Sequence, residues 1–255
     1  MSRPFGPRRG PDTGPSDALS TVKRVALPPG QRVIDVFPRF GAHLSQSAPA
    51  VPVDPVIQVR GVVREAFDLP LTALAALPRR ELAADFHCVA GWSATNLRWE
   101  GVSFKAVYRT FVEPALRPQA SVSHVVFGGL DGWRSVAEVA DVLADDVLIA
   151  DRLDGRPLDG EHGAPARLIS PQQYGYISTK HLCRIEVHTA EPRGINGSLR
   201  LRLLSPHPRA RVWAEERHRY LPSWSVRRVY RASIPHLIAR GRRRSADPPF
   251  AARSA

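Results

Sequence analysis

Short apolar runs separated by proline and glycine set the tightest limit on what this chain folds into. Twenty-four prolines and eighteen glycines lie mostly between those runs. Proline removes an amide donor and fixes its backbone, and glycine loosens it, so residues of these two types tend to separate regular elements. A loop-rich fold of short elements is expected. The 255 residues are 43% hydrophobic, enough to build a core for one large domain or two small ones. No internal repeat is evident.

Periodicity fills in the elements. The run "PVIQVRGVV" alternates as a strand, and "PLTALAALPRREL" is a short helix between prolines. "ELAADFHC" reads as a strand ending at Cys88. In "GVSFKAVYRTFVEPAL", Phe104, Val107, Tyr108 and Phe111 keep helical spacing until Pro114 stops the helix. "SHVVFGG" is an apolar strand. "SVAEVADVLADD" predicts a helix capped by Ser135, with Val136, Val139, Ala140 and Leu143 on one side. Two strands joined by a Gly/Pro loop follow over "VLIADRLDGRPLDGEHGAPARLIS", then a strand over "HLCRIEVHT" and a hairpin partner over "GINGSLRLRLLS". The stretch from "ERHRYLPSWSVRRVYR" onward has no assignable pattern. This mixed order predicts an α+β fold, with a flexible arm over residues 1–30, a domain over 31–190 and a basic extension over 191–255 partly packed on the core.

The net charge of +12 suggests an anionic partner until its distribution is considered. Residues 191–255 carry 15 basic and 4 acidic residues, a net of +11, whereas residues 1–190 carry 21 and 20. A neutral body with a basic tail and no reading motif argues against nucleic-acid binding. The tail arginines Arg227, Arg228 and Arg242 to Arg244 read either as a docking surface for an acidic redox partner or as a solvated extension. Two widely separated cysteines, Cys88 and Cys183, form no disulfide framework. Arg8 and Arg9 precede a polar stretch rather than an apolar signal core, and no run is long enough to span a membrane, so a soluble cytoplasmic protein is expected.

Two clusters can carry chemistry. Cys88 ends a strand and turns through Gly91 towards Trp92 and Trp99. A free cysteine there is either a buried structural side chain or a loop-presented ligand. Zinc is disfavoured, since no converging Cys/His set accompanies it, but one thiolate serves a soft, high-valent metal whose other ligands come from a cofactor. The second cluster lies in "GEHGAPARLISPQQYGYISTKHLCRIEVH". His162, Arg167, Ser178 and Lys180 with Gly163 and Gly175 offer imidazole, guanidinium, hydroxyl, ammonium and open backbone amides, a set that suits a phosphate or an ordinary solvated loop.

Taken in order, "FHCVAGWSATNLRWEGV", "GLDGWRS", "HGAPAR" and "GYISTKHLCRIEV" resemble the molybdopterin-binding domain of the sulfite oxidase family, in particular its small stand-alone bacterial members and the methionine sulfoxide reductase catalytic subunit. The resemblance extends from about Phe37 to about His188. It implies a sulfite-oxidase-type fold of mixed β-sheets with short helices, and a molybdenum carried by one molybdopterin. It places Cys88 as metal ligand and catalytic centre, His162 and Arg167 on the pterin, and Ser178 and Lys180 at its phosphate. Asp131 falls on a turn facing the cofactor, and Phe40, Gly41 and His43 on a segment crossing the pterin.

The implied reaction is two-electron oxygen-atom transfer. Where sulfite oxidases place an arginine five residues after the cysteine, this chain has Ser93, which argues against sulfite. Trp92, Trp133 and Tyr176 would line a more apolar pocket for an organic sulfoxide or similar oxide. The chain has no haem-binding domain, so an external electron donor or acceptor protein is expected. The competing readings are a catalytically silent binding protein of the same fold and nucleic-acid binding through the tail.

Overall fold

The computed structural model describes residues 26–35, 37, 47–192 and 206–242. Its strands are β1 (Arg32–Val33), β2 (Val56–Gly61), β3 (Phe67–Pro70), β4 (Arg79–Ala83), β5 (Phe86–His87) and β6 (Trp92–Ala94), then β7 (Arg98–Ser103), β8 (His124–Gly129) and β9 (Arg134–Glu138). The last four are β10 (Leu148–Leu153), β11 (Arg156–Pro157), β12 (Arg167–Ile169) and β13 (Leu182–His188). Helices are few: α1 (Phe104–Val107), α2 (Val139–Val142) and α3 (Ser223–Arg242).

Three sheets form. One five-stranded sheet has the order β3-β2-β13-β8-β9, in which β13 pairs parallel to β2 and antiparallel to β8. A second runs β11-β10-β7-β4, with β12 also paired to β10. The third is small, β1-β6-β5, with β1 parallel to β6. The fold is α+β with mixed sheets, as the sequence pattern predicts; α1 and α2 are the short helices expected, whereas α3 runs for 20 residues in a stretch with no assignable pattern.

Strand β10 shows why the second sheet matters to the site. Ile149 points into a core shared with Ile57, Val59, Val125, Phe127, Ile185 and Val187 of the first sheet. Its neighbours Leu148 and Ala150 point the other way, into a second core containing Cys88, Trp92, Leu97 and Trp99. Alternation on β12 does the same, since Leu168 joins the first core and Ile169 the second. The first half of β10, together with β12, is thus buried on both faces, which explains the continuous apolar run "VLIA". Its far face is the floor on which the Cys88 loop rests.

Several local expectations are corrected by tertiary context. "ELAADFHC" is not one strand: β4 ends at Ala83, and β5 begins at Phe86 in a different sheet. Ala84 N–H donates to the Leu97 carbonyl and Asp85 accepts the Asn96 N–H, so the chain turns between the two. Residues Arg134–Glu138 form β9 rather than the start of a helix, and α2 is confined to Val139–Val142. Ser135 and Ala137 are buried at period two on β9, which pairs with β8, and Ser135 Oγ donates to the Ile177 carbonyl at 3.1 Å instead of capping a helix. The run after Ser103 begins as α1, widens to a π-turn over Tyr108–Val112 and tightens over Glu113–Ala115, burying Phe104, Val107, Tyr108 and Val112. Leu71–Ala76 forms the short helix expected between prolines, wound as a 3-10 turn. The patternless stretch after Leu221 contains α3, and the hairpin partner expected over "GINGSLRLRLLS" lies outside the described residues.

Candidate functional site

Cys88 is 7% exposed at the start of a tight turn. Gly91 N–H closes the turn on the Cys88 carbonyl at 2.9 Å, and the Cys88 N–H donates to Trp92 at 2.8 Å. Gly91 has φ +97°, a conformation that side chains other than glycine rarely adopt, so the return from cysteine to tryptophan depends on it. Strand β1 clamps the turn from one side: Arg32 N–H donates to Gly91 at 3.1 Å and Gln31 Nε2 to the Cys88 carbonyl at 3.0 Å. Burial pushes the thiol up to about 12, against the opposing pull of the Ala90 N–H and the Arg217 charge. Without a metal this cysteine is a protonated, enclosed thiol.

Ser93, where a substrate-holding arginine would stand, is fully buried and committed elsewhere. Its Oγ lies 2.8 Å from His87 Nδ1 and donates to Gln31 Oε1 at 3.1 Å. Burial, set against Asp85, holds His87 below its ordinary pKa. Position 93 therefore serves the strand pairing under the cysteine turn and presents no cation.

The second cluster converges. Arg167 is fully buried on β12, donating to the His162 carbonyl at 2.9 Å and the Ser178 carbonyl at 3.1 Å. Its guanidinium carbon lies 5.9, 5.4 and 5.2 Å from the ring centroids of Phe37, Phe86 and Trp99. His162 faces Asp159 at 2.7 Å through Nδ1 and the Phe37 carbonyl at 3.3 Å through Nε2. Lys180 Nζ donates to the Glu161 carbonyl, and His181 N–H to the Gly163 carbonyl at 3.1 Å. Ser178 Oγ accepts the Ser170 N–H at 3.1 Å.

The two clusters are one site. Gly175 N–H donates to the His87 carbonyl at 2.7 Å, joining the "GYISTK" stretch to the residue before Cys88. A Cβ at Gly175 would collide with the Phe86 ring, so the contact requires glycine. The turn bearing Asp131 joins from β8: Leu130 N–H donates to His181 at 2.9 Å, and Asp131 Oδ1 accepts the Trp133 N–H at 3.1 Å. Trp133 Nε1 donates to the Tyr176 carbonyl at 3.0 Å, and Tyr176 OH to the His207 carbonyl at 3.0 Å. Trp92 is 1% exposed and packs edge-on to Phe37 with ring centroids 6.3 Å apart, so its indole fills the second core. Phe40, Gly41 and His43 lie outside the described residues, although Phe37 of the same "FPRFG" segment sits 5.3 Å from the His162 ring.

Residues that sequence reasoning passed over complete the surroundings. Arg217 is 1% exposed, donates to the Val89 carbonyl next to Cys88, and stacks 5.0 Å from the Tyr174 centroid. The Tyr174 hydroxyl is buried with no hydrogen-bond partner among the described residues, and burial pushes it up to about 12. Tyr230 on α3 packs against the Cys88 core and lies 2.7 Å from His218 Nε2. Tyr174 belongs to the "QQYGYIS" stretch and was legible there, whereas Arg217 and Tyr230 follow no periodic pattern.

The residues fit a molybdopterin. A buried guanidinium whose hydrogen bonds go only to backbone carbonyls, and whose other neighbours are aromatic rings, is a cation without an anionic partner. Arg167 Nε has no partner among the described residues, and burial lowers the Arg167 pKa to about 9, so an anionic cofactor group is the complement this pocket lacks. Among the described residues no three His, Cys, Asp or Glu side chains converge as a metal site, so a metal at Cys88 would draw its remaining ligands from a cofactor.

Fold and site together define a molybdopterin-binding oxidoreductase domain of the sulfite oxidase type, whose cofactor is molybdenum on molybdopterin. Residues 48–196 match the family described as the oxidoreductase molybdopterin binding domain, and the chain belongs to it. It is 32% identical over 130 residues to the "Uncharacterized oxidoreductase YuiH" of Bacillus subtilis (strain 168), covering 51% of this chain and 63% of that protein. It is 26% identical over 198 residues to the "Protein-methionine-sulfoxide reductase catalytic subunit MsrP" of Ralstonia nicotianae (strain ATCC BAA-1114 / GMI1000), covering 70% of this chain and 58% of the relative. The chain thus spans less than two thirds of the length of these curated relatives. The sulfane dehydrogenase SoxCD from Paracoccus pantotrophus has the same fold, with a TM-score of 0.52 at 22% identity over 65% of this chain and 46% of that one.

Proposed function

We propose that this protein is a molybdopterin-dependent oxidoreductase in which the Cys88 thiolate ligates molybdenum and supports two-electron oxygen-atom transfer. The observation that carries this reading is the Gly175 to His87 hydrogen bond, which ties the cysteine turn to the buried Arg167 cradle. Bound cofactor supplies the redox chemistry. The chain's residues bind and orient it: Arg167 and His162 hold the pterin, Ser178 and Lys180 its phosphate, and Asp131 the turn beside them. Trp99, Phe37 and Phe86 keep water from the guanidinium. Gln31 and Arg32 fix the direction in which Cys88 leaves its turn.

The substrate we propose is an organic sulfoxide or a similar oxide rather than sulfite. Support comes from Ser93, buried and hydrogen-bonded where a sulfite-holding arginine would stand, and from similarity to proteins named as protein-methionine-sulfoxide reductase subunits. Trp133, hydrogen-bonded to Asp131 through its backbone N–H and to the Tyr176 carbonyl through Nε1, and Tyr176 are the aromatic groups we propose for the substrate side. Electrons would pass to or from an external protein partner. We assign the redox unit to residues 31–190, with 191–255 as a basic extension partly packed on it. A cytoplasmic setting is supported by two free thiols, and among the described residues no helix is long and apolar enough to cross a membrane.

Protein purified from a cofactor-producing host should contain molybdenum by elemental analysis, and Cys88→Ala should lose it. Dye-coupled turnover of sulfoxides should exceed turnover of sulfite. Absence of metal, or equal metal in the variant, overturns the ligand assignment; preference for sulfite overturns the substrate.

A further inference from the structure

A narrow cleft lies over the Cys88 turn, and its walls are cationic. Arg32, Arg217, Arg227 and Arg231 line it together with Gly30, Ala90 and Gly91, and among the described residues no acidic side chain lines it. These four arginines come from three places: strand β1, the segment before α3, and α3 itself. All four lie outside the 48–196 span that matches the family, so the cations come from the segments flanking that domain while Ala90 and Gly91 come from within it.

The guanidiniums are organised rather than splayed in solvent. Arg217 is held under the cleft by the Val89 carbonyl and by the Pro29 carbonyl at 3.3 Å, and its Nε has no partner among the described residues. Arg227 is set by a two-pronged pair with Glu215, whose Oε1 lies 2.8 Å from Arg227 Nε and 3.8 Å from Arg217 Nη2. That one carboxylate is shared between two guanidiniums. Arg32 and Arg231 complete the rim, and both are exposed. Glu215 occupies the Arg227 fork and offsets one unit of the charge, so the exposed Arg32 and Arg231 are the guanidiniums that carry binding, and their forked donors match the oxygen array of a tetrahedral or planar oxoanion.

We propose that this cleft is a binding site for a small oxoanion, placed one turn from Cys88 by the C-terminal segment. The site does not depend on the redox reading, because none of its cations touches Arg167, His162 or Lys180 in the described hydrogen bonds. Anion occupancy would draw α3 and β1 together over the cysteine turn, since Arg32 belongs to one and Arg227 and Arg231 to the other.

The test titrates sodium sulfate into the full-length protein by calorimetry at fixed ionic strength, with sodium chloride as the matched control. Protein from a cofactor-producing host is used, and molybdenum is measured in the same samples, so that a failure to load cofactor is read separately. Saturable sulfate binding that weakens at least tenfold in the Arg32→Gln/Arg231→Gln double variant, with an unchanged melting temperature, is the expected result. No saturable binding, equal binding in the double variant, or equal heats with chloride each overturns the proposal. Arg228→Gln, exposed on α3 but outside the cleft, should bind sulfate like the parent; a comparable loss there would also overturn it by showing that only the tail's overall charge matters.

Discussion

Cys88 joins a reactive atom to an unreactive setting. Burial holds its thiol at about 12, so at neutral pH the metal-free protein should react slowly with a disulfide reagent. In a Cys183→Ser background, the labelling rate read by absorbance should rise by more than tenfold on unfolding in urea; rapid labelling of the folded protein would contradict the enclosed thiol. Asp159 gives a pH prediction at the same scale. Burial raises its pKa, but the His162 side chain and the backbone N–H groups of His162 and Glu161 lower it further, to about 2 from an ordinary 3.8. A depressed carboxylate contributes stability that is complete above its unfolded value and is lost as the pH falls through the folded one. The loop over 159–163 should therefore loosen between about pH 4 and about pH 2. Asp159→Asn should flatten that part of the urea-midpoint profile.

Among the elements, α3 has the least local signal, yet it brings Tyr230 against the Cys88 core. Val226 is 7% exposed and Tyr230 packs against the Cys88 core while Trp224 and Val229 face outward at 74% and 69% exposure, so among the described side chains the first half of the helix is seated by one narrow face. Tyr230→Phe removes the 2.7 Å contact with His218 and should cost about 1 kcal/mol, read from denaturant midpoints. Tyr230→Ala should also speed labelling of Cys88, since it opens the cover over the turn. The "SVAEV" run shows why strand and helix were not separable locally. Its residues satisfy period two on β9 and nearly satisfy helical spacing for one turn, and pairing with β8 decides between them. In "ELAADFHC" the break at Ala84 and Asp85 is set by partners at Leu97 and Asn96, which no local pattern announces.

Across the whole molecule, the β10 sheet separates two cores with different duties. Phe127 is fully buried in the core between the large sheets, and Phe127→Ala should cost about 3–5 kcal/mol in unfolding free energy while leaving the metal content of folded protein unchanged. Trp99, fully buried in the second core and 5.2 Å from the Arg167 guanidinium carbon, should behave differently. Trp99→Ala should lower both stability and molybdenum content, because it opens the Arg167 cradle to water. If the two variants lose metal in the same proportion to stability, the division of labour between the cores is wrong. The sequence by itself determined the short-element α+β character, the ordered motifs around Cys88, His162, Arg167, Ser178 and Lys180, and the imbalance that puts the basic charge in the tail. The first and last are properties of spacing and composition, and the motifs are carried by residues near one another in the chain, where the resemblance to the family could be read. Tertiary structure alone decided that Arg217 and Tyr230 belong beside Cys88, that Ser93 and Trp92 face inward, and that four arginines from both flanks meet over one turn. Each of those depends on contacts across more than sixty positions or on which face of a sheet is covered, and hydrophobic periodicity holds no information about the partner that covers it.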